Sequence, residues 1–123
     1  MGGITLYGIR NCDTCRRALR WLAERGIDHR FHDLRADGVD RATIDAWADA
    51  LGVDALLNRR GRTWRELDPA RRERLDEDGT RTLLAAEPLL IKRPVLALDG
   101  RAVDVGFEAE RWRALVARDA GAQ

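Results

Sequence analysis

Ile4-Thr5-Leu6-Tyr7 alternates apolar and polar positions and stops at Gly8, which predicts a β-strand. Cys15, Ala18, Leu19 and Leu22 follow at i, i+3, i+4 and i+7, the spacing of one apolar helix face. Asn11 or Asp13 can cap that helix, and Gly26 can end it. Asp28 to Leu34 reads as a second strand, with Phe31 as its core residue. A strand, a helix and a strand within so short a stretch form a β-α-β unit.

The middle of the chain has helical periods and no strand pattern. Asp40 can cap a helix whose apolar face is Ile44, Trp47, Ala48 and Leu51, with Gly52 at its end. Asp54 to Leu57 predicts a short helical turn, and residues 58–65 a basic loop. Asp68-Pro69 is a cap followed by proline at the first helical position, opening a polar helix to about Glu77. Thr80 to Glu87 predicts another helix, stopped by Pro88.

Val95 to Leu98 and Arg101 to Val105 flank Asp99-Gly100, a two-residue hairpin signal. A closing helix after Phe107 places Trp112, Leu115 and Val116 on one face, and Asp119 to Gln123 is expected to fray. The string is βαβ, a helical insert over about 40–88, then ββα. It predicts a thioredoxin-like α/β fold with a mixed sheet and an inserted helical lobe. At 123 residues it reads as one domain, 1–123.

Composition narrows the function. Hydrophobic residues are 45% of the chain and the formal net charge is +1, which excludes a disordered polyelectrolyte. No apolar run has the length of a membrane span, and MGGITLYG lacks the basic and apolar regions of a secretory signal. The expected location is therefore cytoplasmic, where cysteines rest reduced. Of the 22 basic residues only Lys92 is a lysine, and the arginines cluster around the cysteines and at Arg59, Arg60, Arg62 and Arg65. Local basic clusters in a near-neutral chain favour a small anionic ligand. No membrane and no direct nucleic-acid partner is expected.

Asn11-Cys12-Asp13-Thr14-Cys15 lies where a strand feeds a helix. Unsatisfied N–H groups and the helix dipole favour thiolate over thiol there, and Arg10 and Arg16 are placed to add to this. Cys12 precedes the first turn and can attack. Cys15 begins the apolar face and points inward, either as a resolving thiol or as a small core residue. The set Cys12, Cys15, His29 and His32 has the outline of a zinc site. In the expected strand, however, the two histidines fall on opposite faces, so neither a metal nor a bound cofactor is expected.

Ile91-Lys92-Arg93-Pro94-Val95 is the candidate anion-binding segment. A cis Pro94 beside the cysteine loop would bring Arg93 to Cys12. Loop 58–65 offers further donors, since Arg forks suit carboxylates and other oxyanions.

The stretches ITLYGIRNCDTCRRALRWL, FHDLRADG, LGVDALLNRRGRTWREL, LLIKRPVL and the final VGF with its helix resemble the arsenate reductase-like ArsC/Spx family, most closely its YffB-like branch. The resemblance spans Ile4 to Val116 and implies the same thioredoxin-like fold with a helical insert. It implies a thiol-disulfide oxidoreductase with Cys12 as catalytic nucleophile and Cys15 as its partner sulfur. Substrate would be bound by Arg93, Arg60, Asn58, Asn11 and Pro94. Glutathione, glutaredoxin or thioredoxin would supply electrons, for a small anionic or glutathionylated substrate. The reductase branch uses three arginines for arsenate. The first falls at Asn58 here, with Arg59 and Arg60 adjacent, and the third, near Gly106, has no arginine, which counts against arsenate itself. Cys15 is instead similar to the Spx branch, redox-sensing regulators that bind RNA polymerase. Gly52 and Arg60 fall where that branch has its polymerase-contacting glycine and a switch-linked arginine. The alternative is thus a regulator that binds the polymerase α-subunit through a Cys12–Cys15 switch.

Overall fold

A computed structural model describes residues 3–121. Strand β1 (Ile4–Gly8) leads into helix α1 (Asp13–Glu24) and β2 (Arg30–Asp33). The insert follows as α2 (Leu34–Asp37), α3 (Arg41–Leu51), α4 (Val53–Leu56), α5 (Arg62–Arg65), α6 (Pro69–Glu73), α7 (Glu77–Ala86) and a 3-10 turn (Pro88–Leu90). The chain returns to the sheet with β3 (Val95–Leu98) and β4 (Arg101–Val105) and closes with α8 (Ala109–Gly121). The sheet order is β2-β1-β3-β4. β1 and β2 are parallel, with Leu6 opposite Phe31; β3 is antiparallel to both β1 and β4. This is the mixed sheet of a thioredoxin-like fold.

The alternation along β1 assigns the two layers. Ile4 and Leu6 pack with Ala18, Trp21, Leu22, Leu96 and Trp112, against α1 and α8. On the other face Tyr7 packs against a core that includes Ile9, Ile44, Trp47, Leu56, Leu84 and Val95, against the insert. A period of two along a strand sends successive side chains to opposite faces, so each layer receives its own apolar set. Phe31 is half-buried, and Trp21 completes the α1 face on which Leu19 is half-buried. In the Asp99-Gly100 hairpin both residues have positive φ, 52° and 83°, as a type I′ turn requires.

Several boundaries differ from the sequence reading, two of them through an aspartate cap. The second strand ends at Asp33, because the Asp33 carboxylate accepts from the Arg35 and Ala36 amides and starts α2 at Leu34. His29 thus precedes β2, with its Nδ1 on the Ile27 carbonyl, and His32 lies within it. The helix after Asp68-Pro69 stops at Glu73 instead of Glu77. Asp76 accepts from the Gly79 amide and opens α7 at Glu77, ahead of the predicted Thr80. Loop 58–65 contains the single turn α5. The closing helix runs through Gly121, so Asp119 to Gly121 are helical, while Ala122 and Gln123 lie outside the described residues. Among the described residues no helix is long and apolar enough to cross a membrane.

Candidate active site

Cys12 itself is the N-cap residue of α1, in place of the expected Asn11 or Asp13. Its backbone is extended (φ −138°, ψ 122°), its carbonyl accepts the first helical bond from Arg16 at 2.9 Å, and no side chain caps the terminus. Asp13 is drawn into an ion pair with Arg16. Asn11 is exposed in the loop before the cap. A sulfur therefore occupies the position where an oxygen would meet the first-turn amides.

The electrostatics of Cys12 follow from that placement. Burial alone would push its thiol up. Hydrogen bonds from the Cys15 backbone, the Cys15 thiol and the Arg93 guanidinium, with the charge of Arg93, outweigh burial and hold the thiol below its ordinary value. The cation involved is Arg93. Arg10, expected to help, instead pairs with Asp33 at 3.0 Å and lies over Phe31; Arg16 is held by Asp13.

Cys15 has the opposite surroundings. It is fully buried. Burial, with the neighbouring Cys12 charge, pushes its thiol up to about 12, against a backbone hydrogen bond from Ile9. Both cysteines are free thiols. One dithiol loop thus holds a sulfur poised to ionise and a sulfur kept protonated.

Arg93 reaches Cys12 from the turn before β3. The Arg93–Pro94 peptide is cis and Pro94 is buried. Arg93 Nη1 donates to the carbonyls of Leu89 (2.8 Å) and Ile91 (3.2 Å), which fixes the guanidinium from behind. Its Nε is buried with no hydrogen-bond partner. A buried orphan donor on a cation is costly unless an acceptor joins it.

The insert brings the other wall. An isolated antiparallel bridge joins Leu57 to Ile91, with Asn58 N donating to Leu90 O (2.8 Å) and Lys92 N to Leu56 O (2.7 Å). It seats Asn58 in the wall that holds Arg93. A cleft of about 400 Å³ opens there, lined by Arg93, Asn58, Ile9, Trp64, Arg35 and Arg62 among others. Arg60 is exposed and does not line it; its amide is bound by Asn58 Oδ1 at 3.0 Å. The cleft arginines that join Arg93 are Arg35 and Arg62. Arg62 belongs to the basic cluster visible in the sequence. Arg35 follows the Asp33 cap at the start of α2, and no motif or spacing in the sequence marks it. Neither cysteine lines this cleft; Arg93, which does, connects it to Cys12. A larger hollow of about 550 Å³ beside Tyr7 and His32 has no arginine in its lining. Among the described residues no group of three His, Cys, Asp or Glu is placed to hold a metal ion.

The chain and its fold are shared with known proteins. The ArsC family matches residues 7–115. The chain is similar to the solved structure of the YFFB protein, at 43% identity over 90% of this chain and 96% of that one, with a TM-score of 0.84. It is similar to an arsenate reductase (ArsC) related protein from Brucella melitensis, at 40% identity over 93% and 94% of the two chains, with a TM-score of 0.73. The global transcriptional regulator Spx of Streptococcus pyogenes is 26% identical over 94% of this chain and 87% of its own length. A match from Tyr7 to Leu115 runs from β1 into the closing helix, and the chain belongs to the ArsC family.

Proposed function

We propose that this protein is a thiol-dependent reductase in which the Cys12 thiolate is the nucleophile. The observation that carries the reading is the pairing of Cys12, at the uncapped start of α1, with the Arg93 guanidinium. The thiolate, not the thiol, is the attacking nucleophile in thiol–disulfide exchange, and both groups favour it.

For a glutathione mixed disulfide the chemistry balances simply. Cys12 attacks the glutathionyl sulfur. A new S–S bond forms to Cys12, the old one breaks, and the released thiolate takes a proton from solvent. A glutathione thiolate then attacks the Cys12 adduct, freeing Cys12 and forming glutathione disulfide. Arg93, with Asn58 and Pro94 shaping the wall, neutralises the anionic substrate beside the sulfur. Cys15 acts through Cys12: a thiol held at about 12 remains protonated at neutral pH and donates to the Cys12 thiolate. Resolution by an external thiol, from glutathione, glutaredoxin or thioredoxin in the cytoplasm, fits that state better than attack by Cys15.

The test is NADPH-coupled turnover with a glutathione mixed disulfide and, separately, arsenate, each with glutathione plus glutaredoxin or with thioredoxin. Cys12→Ala serves as blank. Turnover that disappears in the blank is the expected result; equal rates in both would overturn the reading.

A second reading has one specific support, the similarity to Spx together with the presence of Cys15. In it a Cys12–Cys15 disulfide would set affinity for the α chain of RNA polymerase. Oxidant-sensitive co-purification with the C-terminal domain of that α chain is its signature. Absence of the complex under both reducing and oxidising conditions would remove it.

A further inference from the structure

The cleft lined by Arg93, the partner of Cys12, carries more cationic character than its counterions balance. Arg62 Nε is paired with Glu66 at 2.9 Å, and both residues line the cleft. Arg35 also lines it, yet the Arg35 guanidinium makes no hydrogen bond or ion pair among the described residues; only its backbone amide is engaged, by Asp33. The turn that carries it is fixed, because Asp33 accepts from Arg35 and Ala36 at 2.9 and 3.1 Å and is held in turn by Arg10. Across the same cleft stands Arg93, anchored through Nη1 and with its Nε buried and unpartnered. Arg35 and Arg93 thus line one cleft, Arg93 held by backbone carbonyls and Arg35 with its guanidinium unengaged among the described residues.

The size of the cleft says what kind of anion. About 400 Å³ is an order of magnitude more than the ~30 Å³ a water molecule occupies in the liquid. A single tetrahedral oxyanion leaves most of it empty. Its sides include Ile9, Trp64 and Leu89, apolar surfaces that suit an organic skeleton.

We infer that Arg35 is a specificity-determining residue that binds a carboxylate on the organic part of the substrate, remote from the reacting sulfur, while Arg93 serves the anionic centre beside Cys12. The preferred substrates are then thiol conjugates that bear a free carboxylate, not uncharged thiol conjugates or bare inorganic oxyanions. This rests on the reductase reading for the sulfur chemistry but is tested apart from it.

The test is equilibrium binding of S-methylglutathione and of the same compound with both carboxylates esterified, measured by calorimetry at low salt. The methylated sulfur cannot react, so binding does not depend on Cys12 chemistry. The wild-type chain is expected to prefer the acid over the ester. Arg35→Ala is expected to shrink that preference about fivefold, the scale of an exposed charge pair, and Arg35→Lys to recover part of it. Arg35 is exposed and its side chain supports no internal contact, so the variants fold as the parent does. Equal binding of acid and ester by the wild-type chain, no binding of either, or an unchanged preference in Arg35→Ala would each overturn the inference. Loss of turnover in every substrate with binding intact would instead count against the reductase reading alone.

Discussion

Gly8 and Cys15 are fitted to each other: a Cβ built on Gly8 would lie 2.5 Å from Cys15 Sγ. The last residue of β1 is therefore a glycine because the second sulfur occupies the space of its side chain. That contact seats α1 directly on the strand and sets Cys15 inside the protein, three residues from a half-exposed Cys12. The difference between the two sulfurs begins here, as packing, before any charge acts on it.

Gly8→Ala tests the fit. Forcing a methyl group into that contact costs about 1–3 kcal/mol, the range for overpacked cores. Removing the sulfur relieves it, so the Gly8→Ala/Cys15→Ala pair should be less destabilised than the sum of the single variants. Urea denaturation of the four chains measures the coupling. Additive losses would show that the sulfur is not what excludes the side chain.

Cys12 should alkylate with a pH midpoint below that of an ordinary cysteine, since its thiol is held down by Cys15 and Arg93. Reactivity follows the thiolate, so the rate rises through that midpoint and then levels. Arg93→Ala removes a hydrogen bond and a charge from the thiolate, and the profile should move to higher pH. Cys15, fully buried, should resist the reagent across the same range. Iodoacetamide labelling with mass-spectrometric site assignment reads both sulfurs in one experiment.

Much of this arrangement is legible in the sequence, because it is local. The alternation at Ile4 to Tyr7, the face of Cys15, Ala18 and Leu22, and Asp99-Gly100 are short-range signals, and each marks the element found. The shifted boundaries at Asp33 and Asp76 are also local in origin. Asp33 and Asp76 were available as caps, but the apolar pattern around them favoured a longer strand and a later helix. The cleft is another matter. Arg35 and Arg93 are far apart in the chain, and what brings their walls together is the bridge between Leu57 and Ile91 and the packing of the insert on β1. No spacing rule reports such a pairing. The basic crowding at 58–65 and the resemblance point to Arg60, whereas Arg62 is the member of that cluster that lines the cleft.

Asp33 links stability to the cleft. Its carboxylate is buried and held below the usual range, foremost by the Ala36 amide and then by the Arg35 amide and Arg10, which outweigh burial. A depressed carboxylate stabilises the fold above its unfolded value of about 3.9, and that contribution is lost as pH falls through the lower folded value. Asp33→Ala should cost about 0.5–2 kcal/mol at neutral pH, the value of an N-cap. Asp33→Asn keeps an accepting oxygen but no charge, so it should lose less stability between pH 7 and pH 3 than the wild-type chain does. Denaturant melts at the two pH values give the comparison. A wild-type-like loss in Asp33→Asn would mean that other carboxylates carry the acid sensitivity.

Cys15 is the residue on which the reductase and switch readings separate most cleanly. If its thiol donates to the Cys12 thiolate, Cys15→Ala should raise the Cys12 midpoint by up to about one pH unit, the worth of one hydrogen bond of about 0.5–1.5 kcal/mol. Cys15→Ser restores a donor at the same place and should bring the midpoint back down. Turnover driven by glutathione should survive in both variants, because the resolving thiol comes from outside. The switch reading predicts no glutathione-driven turnover in any of the three chains, and an oxidant-formed Cys12–Cys15 disulfide in the wild-type chain alone. The midpoint of Cys12 labelling and the glutathione-driven rate, measured on the same three chains, therefore assign Cys15 to hydrogen-bond donor or to disulfide partner. A midpoint that ignores both substitutions, together with a rate lost in both, would make Cys15 the resolving thiol of the reductase instead of a hydrogen-bond donor.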